Sequence, residues 1–337
     1  MQLTKKQIEN ISCGIVKVEE NNGYFRLNRF TDEQLELYEK GDRSIFYSKA
    51  CCSSGVRLVF NTDSKRLFLK GITSYGTSRT YYTFDVLVNG NFIGSIDNFF
   101  LRYPNNYIEK NLELGKFEKE FYLGEGVKKV EIYLPFSVIV DIEEISLDDG
   151  AVIEPIKRKY KGLLFGDSIT QGYDSAHYFN HYSVALSRFL DVDFVNKAIG
   201  GEIFVPELAK LKDDFTPDYI VVAYGTNNWG RGETKERLIN DCFEFFTVLR
   251  ENYPNVKIFA LSPTWRKEIL TEKKEFEFEF IAEIIKETIS KIDNAVFIYG
   301  FDFIPQNELL YADYRLHPND EGFAYYSKNL IKNISPF

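Results

Sequence analysis

Leu163-Leu164-Phe165-Gly166-Asp167-Ser168-Ile169-Thr170 is the stretch on which the reading of this chain turns. An apolar run ends in Gly-Asp-Ser and gives way to a polar and then helix-like segment, the pattern of a strand, a tight turn and a helix start. The turn presents a serine. At the carboxyl end of a parallel strand it stands where open α/β sheets bind their ligands, and its N–H, in the first turn of a helix, lacks an intrahelical acceptor. Asp and Ser are also ordinary helix caps. The turn therefore becomes a nucleophile only if the rest of the chain supplies a base, an oxyanion hole and a substrate surface.

Downstream, apolar runs of strand length alternate with stretches whose apolar residues recur near helical spacing. Strands are expected at Gly162 to Phe165, Asp193 to Asn196, Tyr219 to Tyr224, Lys257 to Leu261 and Ala295 to Tyr299. Helices are expected at Tyr178 to Leu190, Val205 to Leu211, Lys235 to Tyr253 and Lys273 to Ile292. Such alternation means a parallel sheet covered on both faces. The flavodoxin-like strand order 2-1-3-4-5 puts a crevice beside the first strand, where Ser168 stands. The charged run Glu272 to Glu279 reads as the solvated start of an amphipathic helix.

Upstream, residues 1 to about 155 read as β structure. Gly55 to Phe60 alternates apolar and polar, Leu67 and Leu69 continue the pattern, and Tyr81 to Val88 leads through Asn89-Gly90 into Phe92-Ile93. Asn-Gly between such runs is a hairpin signal, because a type I′ turn needs positive φ twice. Further strands are expected at Glu120 to Leu123, Lys129 to Leu134 and Val138 to Val140, and one helix at Thr31 to Lys40. Many short strands separated by turns indicate an antiparallel sandwich of jelly-roll type. The basic link Lys157-Arg158-Lys159 divides the chain into a sandwich domain, 1–156, and an α/β domain, 157–337.

Composition limits the partners. A net charge of -9 argues against a nucleic-acid or anionic-membrane surface, both of which attract basic patches. A neutral or cationic small molecule fits better. Residues 1–10 are polar, no run approaches a membrane span, and the four cysteines show no metal-ligand pairing, so free thiols and a cytoplasmic location are expected. Most of the 30 Phe and 22 Tyr must be core, yet their number leaves some rings for a sugar-stacking surface.

Three segments can complete the serine. After the second expected strand comes Asn196-Lys197-Ala198-Ile199-Gly200-Gly201, whose paired glycines let backbone approach a ligand and aim an N–H outward. After the third comes Gly225-Thr226-Asn227-Asn228, from which a side-chain amide can reach across the neighbouring strand end toward an oxyanion. Near the carboxyl terminus, Asp313-Tyr314-Arg315-Leu316-His317-Pro318-Asn319-Asp320 offers a histidine held extended by the following proline. Of the three histidines, His177 and His181 lie in the segment after the serine; His317 is the candidate base.

Together these four segments resemble the SGNH hydrolases, also called GDSL esterases and lipases, over residues 161 to 337. The blocks stand here as Gly166-Asp167-Ser168, the glycine loop, Gly225-Thr226-Asn227 and His317-Pro318-Asn319. The resemblance implies Ser168 as nucleophile, His317 as general base, and Gly201 and Asn227 as oxyanion donors beside the Ser168 N–H. Two departures stand out. Asn228 replaces the family's usual Asp, and the position three before the histidine is Tyr314, so the nearby acid, Asp313, is four before. In extended chain one residue of offset turns a side chain to the other face, unless a bend restores it. Asp313 is the first candidate for the acid, Asp302 the second, and a backbone carbonyl supporting a Ser-His dyad the third.

A jelly-roll ahead of an SGNH domain is similar to carbohydrate esterase family 2. That implies removal of acyl groups, above all O-acetyl, from sugars or oligosaccharides, with no metal or cofactor. Trp229 and Trp265, each just after a strand end, are candidate sugar-stacking residues. The alternatives are a lipase- or thioesterase-like hydrolase of longer acyl chains and a catalytically silent carbohydrate-binding protein.

Overall fold

The computed structural model describes residues 1–99 and 112–334. In the carboxyl-terminal half five parallel strands, β1 (Tyr160–Gly166), β2 (Val192–Asn196), β3 (Tyr219–Ala223), β4 (Lys257–Leu261) and β5 (Ala295–Ile298), lie in the order β2-β1-β3-β4-β5. β1 pairs β2 on one side and β3 on the other, so the chain reverses its winding beside β1 and leaves the expected crevice at its carboxyl end. Helices Pro206–Lys210, Lys235–Asn252 and Phe280–Ile289 cover one face around Phe245, Phe246 and Ile281. Helices Tyr182–Leu190 and Asp320–Asn333 cover the other around Leu186, Phe323 and Leu330. Each of these six side chains is essentially inaccessible, and burying one stabilises the fold by roughly 1.5–3 kcal/mol.

The amino-terminal half is an all-β antiparallel sandwich of jelly-roll type. One sheet runs Ser12–Cys13, Arg57–Thr62, Lys128–Tyr133, Thr83–Val88, Asn91–Asp97, with Glu154–Pro155 beside Arg57–Thr62. The other runs Lys17–Asn21, Tyr24–Asn28, Val138–Leu147, Arg66–Tyr75, Lys116–Tyr122. Their inner faces meet in a core that includes Leu58, Phe84, Ile132 and Val140. Asn89-Gly90 turns as expected, with φ of 51° and 81°. Asn22-Gly23, with φ of 51° and 82°, closes a second hairpin by the same chemistry.

Two expected helix starts move: the helix expected from Tyr178 begins at Tyr182, after a separate 3-10 turn at Tyr178–Asn180, and the one expected from Lys273 begins later still. Glu272 to Glu279 is not helical, and the helix begins at Phe280. Glu-Phe-Glu-Phe has the period of extended chain. The segment instead forms a bent loop that buries Phe276 and Phe278 against the α/β core, with Phe278 edge-on to Trp229.

The sandwich and the α/β unit are joined by buried polar contacts. Arg29 donates to the carbonyl oxygens of Asn196 and Ala198 at 2.5 and 2.8 Å and to those of Lys49 and Cys52 at 2.7 Å each. Burial pushes its guanidinium down to about 10. Asp85 accepts from the Tyr178 N–H at 3.1 Å and contacts His177 Nδ1 at 2.7 Å. Arg57 pairs with Asp193 at 3.0 Å. Phe30, Tyr38, Phe46 and Ala50 pack into the α/β core itself. These contacts pin the loops that follow β1 and β2, the two beside the crevice. All four cysteines are unpaired, and no helix among the described residues is long and apolar enough to cross a membrane.

Candidate active site

The Gly166-Asp167-Ser168 turn is locally determined. Gly166 ends β1, and a Cβ there would come within 2.4 Å of Thr170 Oγ1, so only glycine lets the chain fold back this tightly. Asp167 caps the short helix Ser168–Gln171, its Oδ1 accepting the Ile169 N–H at 3.0 Å. Burial raises its carboxyl to about 7 against the opposing pull of that N–H and of His317. Ser168 follows at the first helical position, with its Oγ 2.9 Å from His317 Nε2.

His317 is held from behind by Asp313, whose Oδ2 lies 2.7 Å from Nδ1. The extra residue of spacing is absorbed by a bend: Tyr314 adopts φ of 60°, in the left-handed region. The other Asp313 oxygen, Oδ1, accepts the backbone N–H groups of Arg315, Leu316 and His317 at 3.1, 2.8 and 3.1 Å. Burial opposes charge on this carboxyl, but His317 and those N–H groups outweigh it and hold its pKa well below the ordinary range. Asp302, the second candidate for the acid, is exposed beyond β5 and does not contact His317.

A second carboxylate stands at the histidine. Asp174 Oδ2 lies 3.5 Å from Nδ1, and Arg79 of the sandwich grips the two Asp174 oxygens at 2.6 and 2.8 Å. Tyr81 donates to the same carboxylate at 2.8 Å. Burial disfavours the Asp174 charge, yet Arg79 and His317 bring its pKa below the usual value. Neither Arg79 nor Asp174 belongs to a motif in the sequence; the one local signal is an acid six residues after the serine. Arg79→Leu would leave Asp174 buried without its cation, and an expected loss of about 3–5 kcal/mol in urea unfolding follows. A loss under 1 kcal/mol would show that the pair contributes little.

The oxyanion candidates converge on the same cavity of about 510 Å³, lined by Ser168, Gly201, Asn227 and His317. Gly201 adopts φ of 91°. The Gly200 N–H is used by Gln171 Oε1 at 2.6 Å, whereas the Gly201 N–H has no acceptor among the described residues. Asn227 donates one N–H to the Glu202 carbonyl at 2.8 Å, which fixes the amide and leaves its second N–H for a ligand. Asn228, in place of the family's Asp, is fully buried and donates to Glu233 Oε2 at 3.0 Å.

The other histidines are structural. His181 is fully buried, with Nε2 2.8 Å from the Ile169 carbonyl and Nδ1 2.7 Å from Ser183 Oγ. Burial pushes its pKa down to about 3, so the ring is neutral.

Trp229 and Trp265 do not serve as stacking platforms. They are 2% and 3% exposed, and neither lines the cavity. Trp229 donates to the Phe276 carbonyl and packs on Phe278, and Trp265 packs on Tyr311. Their place after strand ends does put them near the crevice level, but both rings turn into the core. The aromatic rings on the cavity wall are Tyr173 and the 44% exposed Tyr314.

A serine hydroxyl on an imidazole, a carboxylate behind that imidazole and N–H donors lining the same cavity form a set that performs acyl transfer. Residues 164–325 match the model of the GDSL-like lipase/acylhydrolase family. The chain carries a GDSL-like lipase/acylhydrolase domain. That domain is of the SGNH acyl-hydrolase type, and the sandwich stands ahead of it as an additional amino-terminal unit. No protein of curated function matches by sequence.

Among solved structures, the salicylyl-acyltransferase SsfX3 from a tetracycline biosynthetic pathway superposes with a TM-score of 0.79 at 21% identity, over 95% of this chain and 92% of the other. A family two carbohydrate esterase from Clostridium thermocellum gives 0.64 at 15% identity, over 84% and 93%. An acetyl xylan esterase from Butyrivibrio proteoclasticus gives 0.58 at 16%, over 83% and 88%. At these identities the likeness establishes the shared fold.

Proposed function

We propose that this SGNH hydrolase is a serine esterase that removes O-acetyl groups from sugars or oligosaccharides. The observation that carries the reading is the continuous chain Ser168 Oγ, His317 Nε2, His317 Nδ1 and Asp313 Oδ2, with steps of 2.9 and 2.7 Å, opening on one cavity. His317 takes the Ser168 proton as Oγ attacks the ester carbon. The oxyanion forms against the N–H groups of Ser168 and Gly201 and the Asn227 amide. His317 then returns the proton to the departing sugar oxygen, leaving an acetyl-serine that water, deprotonated by His317, hydrolyses.

The cavity wall supports a short acyl group on a polar alcohol. Lys49, Ser78 and Arg79 from the sandwich and Arg315 from the histidine loop present polar groups, while Leu316, Tyr173 and Tyr314 supply the apolar surface. This is a poor bed for a long acyl chain. Acetate release from acetylated xylan, glucomannan and mono-acetylated sugars, measured beside 4-nitrophenyl esters of increasing length, tests the reading. Activity is expected to be highest with acetyl. A rate rising beyond butyryl would replace the proposal with a lipase-like one, and failure of a fluorophosphonate to label Ser168 would replace it with a binding protein.

A further inference from the structure

The loop that carries Gly201 is built from two successive glycines, and a glycine pair is where a peptide plane rotates at least steric cost. Its hydrogen bonds fix most of it. Gln171 holds the Gly200 N–H, the Glu202 N–H closes a turn onto the Ile199 carbonyl at 3.0 Å, and Arg231 donates to the Gly201 carbonyl. That leaves the peptide joining Gly200 to Gly201, whose N–H is the oxyanion donor. Its carbonyl oxygen accepts from Lys49 Nζ at 2.6 Å.

In a trans peptide the C=O and N–H point in opposite directions. A cation that fixes the oxygen therefore fixes the N–H, and a charge-assisted bond to the oxygen also polarises the N–H. We infer that Lys49, a sandwich-side residue, is the positioning residue of the oxyanion hole: it holds the Gly200–Gly201 peptide with its N–H toward the Ser168 oxyanion. The inference rests on the serine esterase reading.

Lys49 is itself placed with little freedom. It belongs to the short helix Tyr47–Ala50, and its carbonyl oxygen accepts from Arg29 Nη2 at 2.7 Å. Arg29 grips the Asn196 and Ala198 carbonyls at the root of the same loop, so one buried side chain ties Lys49 to the peptide it serves. The Lys49 ammonium also sits 5.0 Å over the Phe46 ring. A Cβ built at Gly201 would meet Phe46, Arg231 and Lys49 at 3.4, 3.5 and 3.7 Å, so these three side chains wrap the loop from outside.

The test is the pair Lys49→Met and Lys49→Arg in the full chain, with 4-nitrophenyl acetate as substrate and phenylboronic acid as a tetrahedral adduct former on Ser168. Deleting a whole oxyanion donor commonly costs about 10²–10³ in turnover, so loosening one is expected to lower kcat by roughly 10–100-fold in Lys49→Met. KM should stay within about twofold, boronate affinity should fall in step with kcat/KM, and Lys49→Arg should recover part of kcat. A kcat within threefold of the parent, or a loss confined to KM, would overturn the assignment, the second outcome making Lys49 a substrate contact. Ser168→Ala separates this from the esterase reading. If that variant keeps full activity the esterase reading falls, whereas an active parent, an inactive Ser168→Ala and an unaffected Lys49→Met would sink the Lys49 assignment alone.

Discussion

Ser168→Ala is expected to lower turnover of 4-nitrophenyl acetate on the order of 10⁶-fold while the chain stays folded. The size follows from what is removed and what remains. Ser168 Oγ is the one hydroxyl 2.9 Å from His317 Nε2, so its loss leaves the imidazole with no nucleophile to deprotonate except water. The Ser168 N–H, the Gly201 N–H and the Asn227 amide stay in place, and such donors alone still sustain about 10³–10⁴ over the uncatalysed rate. The serine side chain is 4% exposed and makes no cap for its own helix, since Asp167 does that, so the thermal midpoint should move little. Hydrolysis within tenfold of the parent would remove Ser168 from the chemistry. A collapse of the thermal midpoint would assign the loss to folding, and fluorophosphonate labelling of the parent would then decide the role.

How this site could be read from sequence depends on how far each part depends on distant neighbours. The strand order followed from the alternation of apolar runs with helical stretches, because a right-handed crossover leaves few ways to lay five such units in one sheet. Gly166-Asp167-Ser168 and His317-Pro318 are short segments whose backbone is dictated locally, by a glycine that no Cβ can replace and by a proline. Asp313 was legible as an acid but not as an orientation. The bend at Tyr314 that swings it back to His317 has no glycine or asparagine to announce it, and a tyrosine at positive φ is uncommon enough that sequence alone does not suggest it.

Other parts depend on pairing across the chain. Arg79 reaches Asp174 over 95 residues and Lys49 reaches Gly200 over 151, and neither has a local pattern that sets it apart from a surface cation. Trp229 and Trp265 failed for the opposite reason. Position after a strand end suggests exposure, whereas the alternating phenylalanines of 272–279, which suggest a helix start, fold against Trp229 and cover it. Both errors share one origin: 272–279 is an irregular loop, bent at Glu275–Phe276 and turning at Phe278–Glu279, that folds Phe276 and Phe278 inward without forming a helix.

Asp313→Asn carries the other large effect, an expected fall of about 10⁴ in kcat with little change in KM. An asparagine in this pocket keeps its oxygen on the three backbone N–H groups of Arg315, Leu316 and His317, which it needs as acceptor. Its NH₂ then faces His317 Nδ1, which must accept instead of donate. The imidazole proton moves to Nε2, and the nitrogen that should take the Ser168 proton already holds one. Asp174→Asn distinguishes position from mere charge. Asp174 lies 3.5 Å from the same Nδ1, beyond good hydrogen-bond distance, and is committed to Arg79, so its change should cost no more than about tenfold in kcat. If instead Asp174→Asn is the more damaging and Asp313→Asn stays near the parent, the histidine is oriented from the sandwich side through Arg79, and the acid of this hydrolase sits beside its nucleophile rather than beside its base.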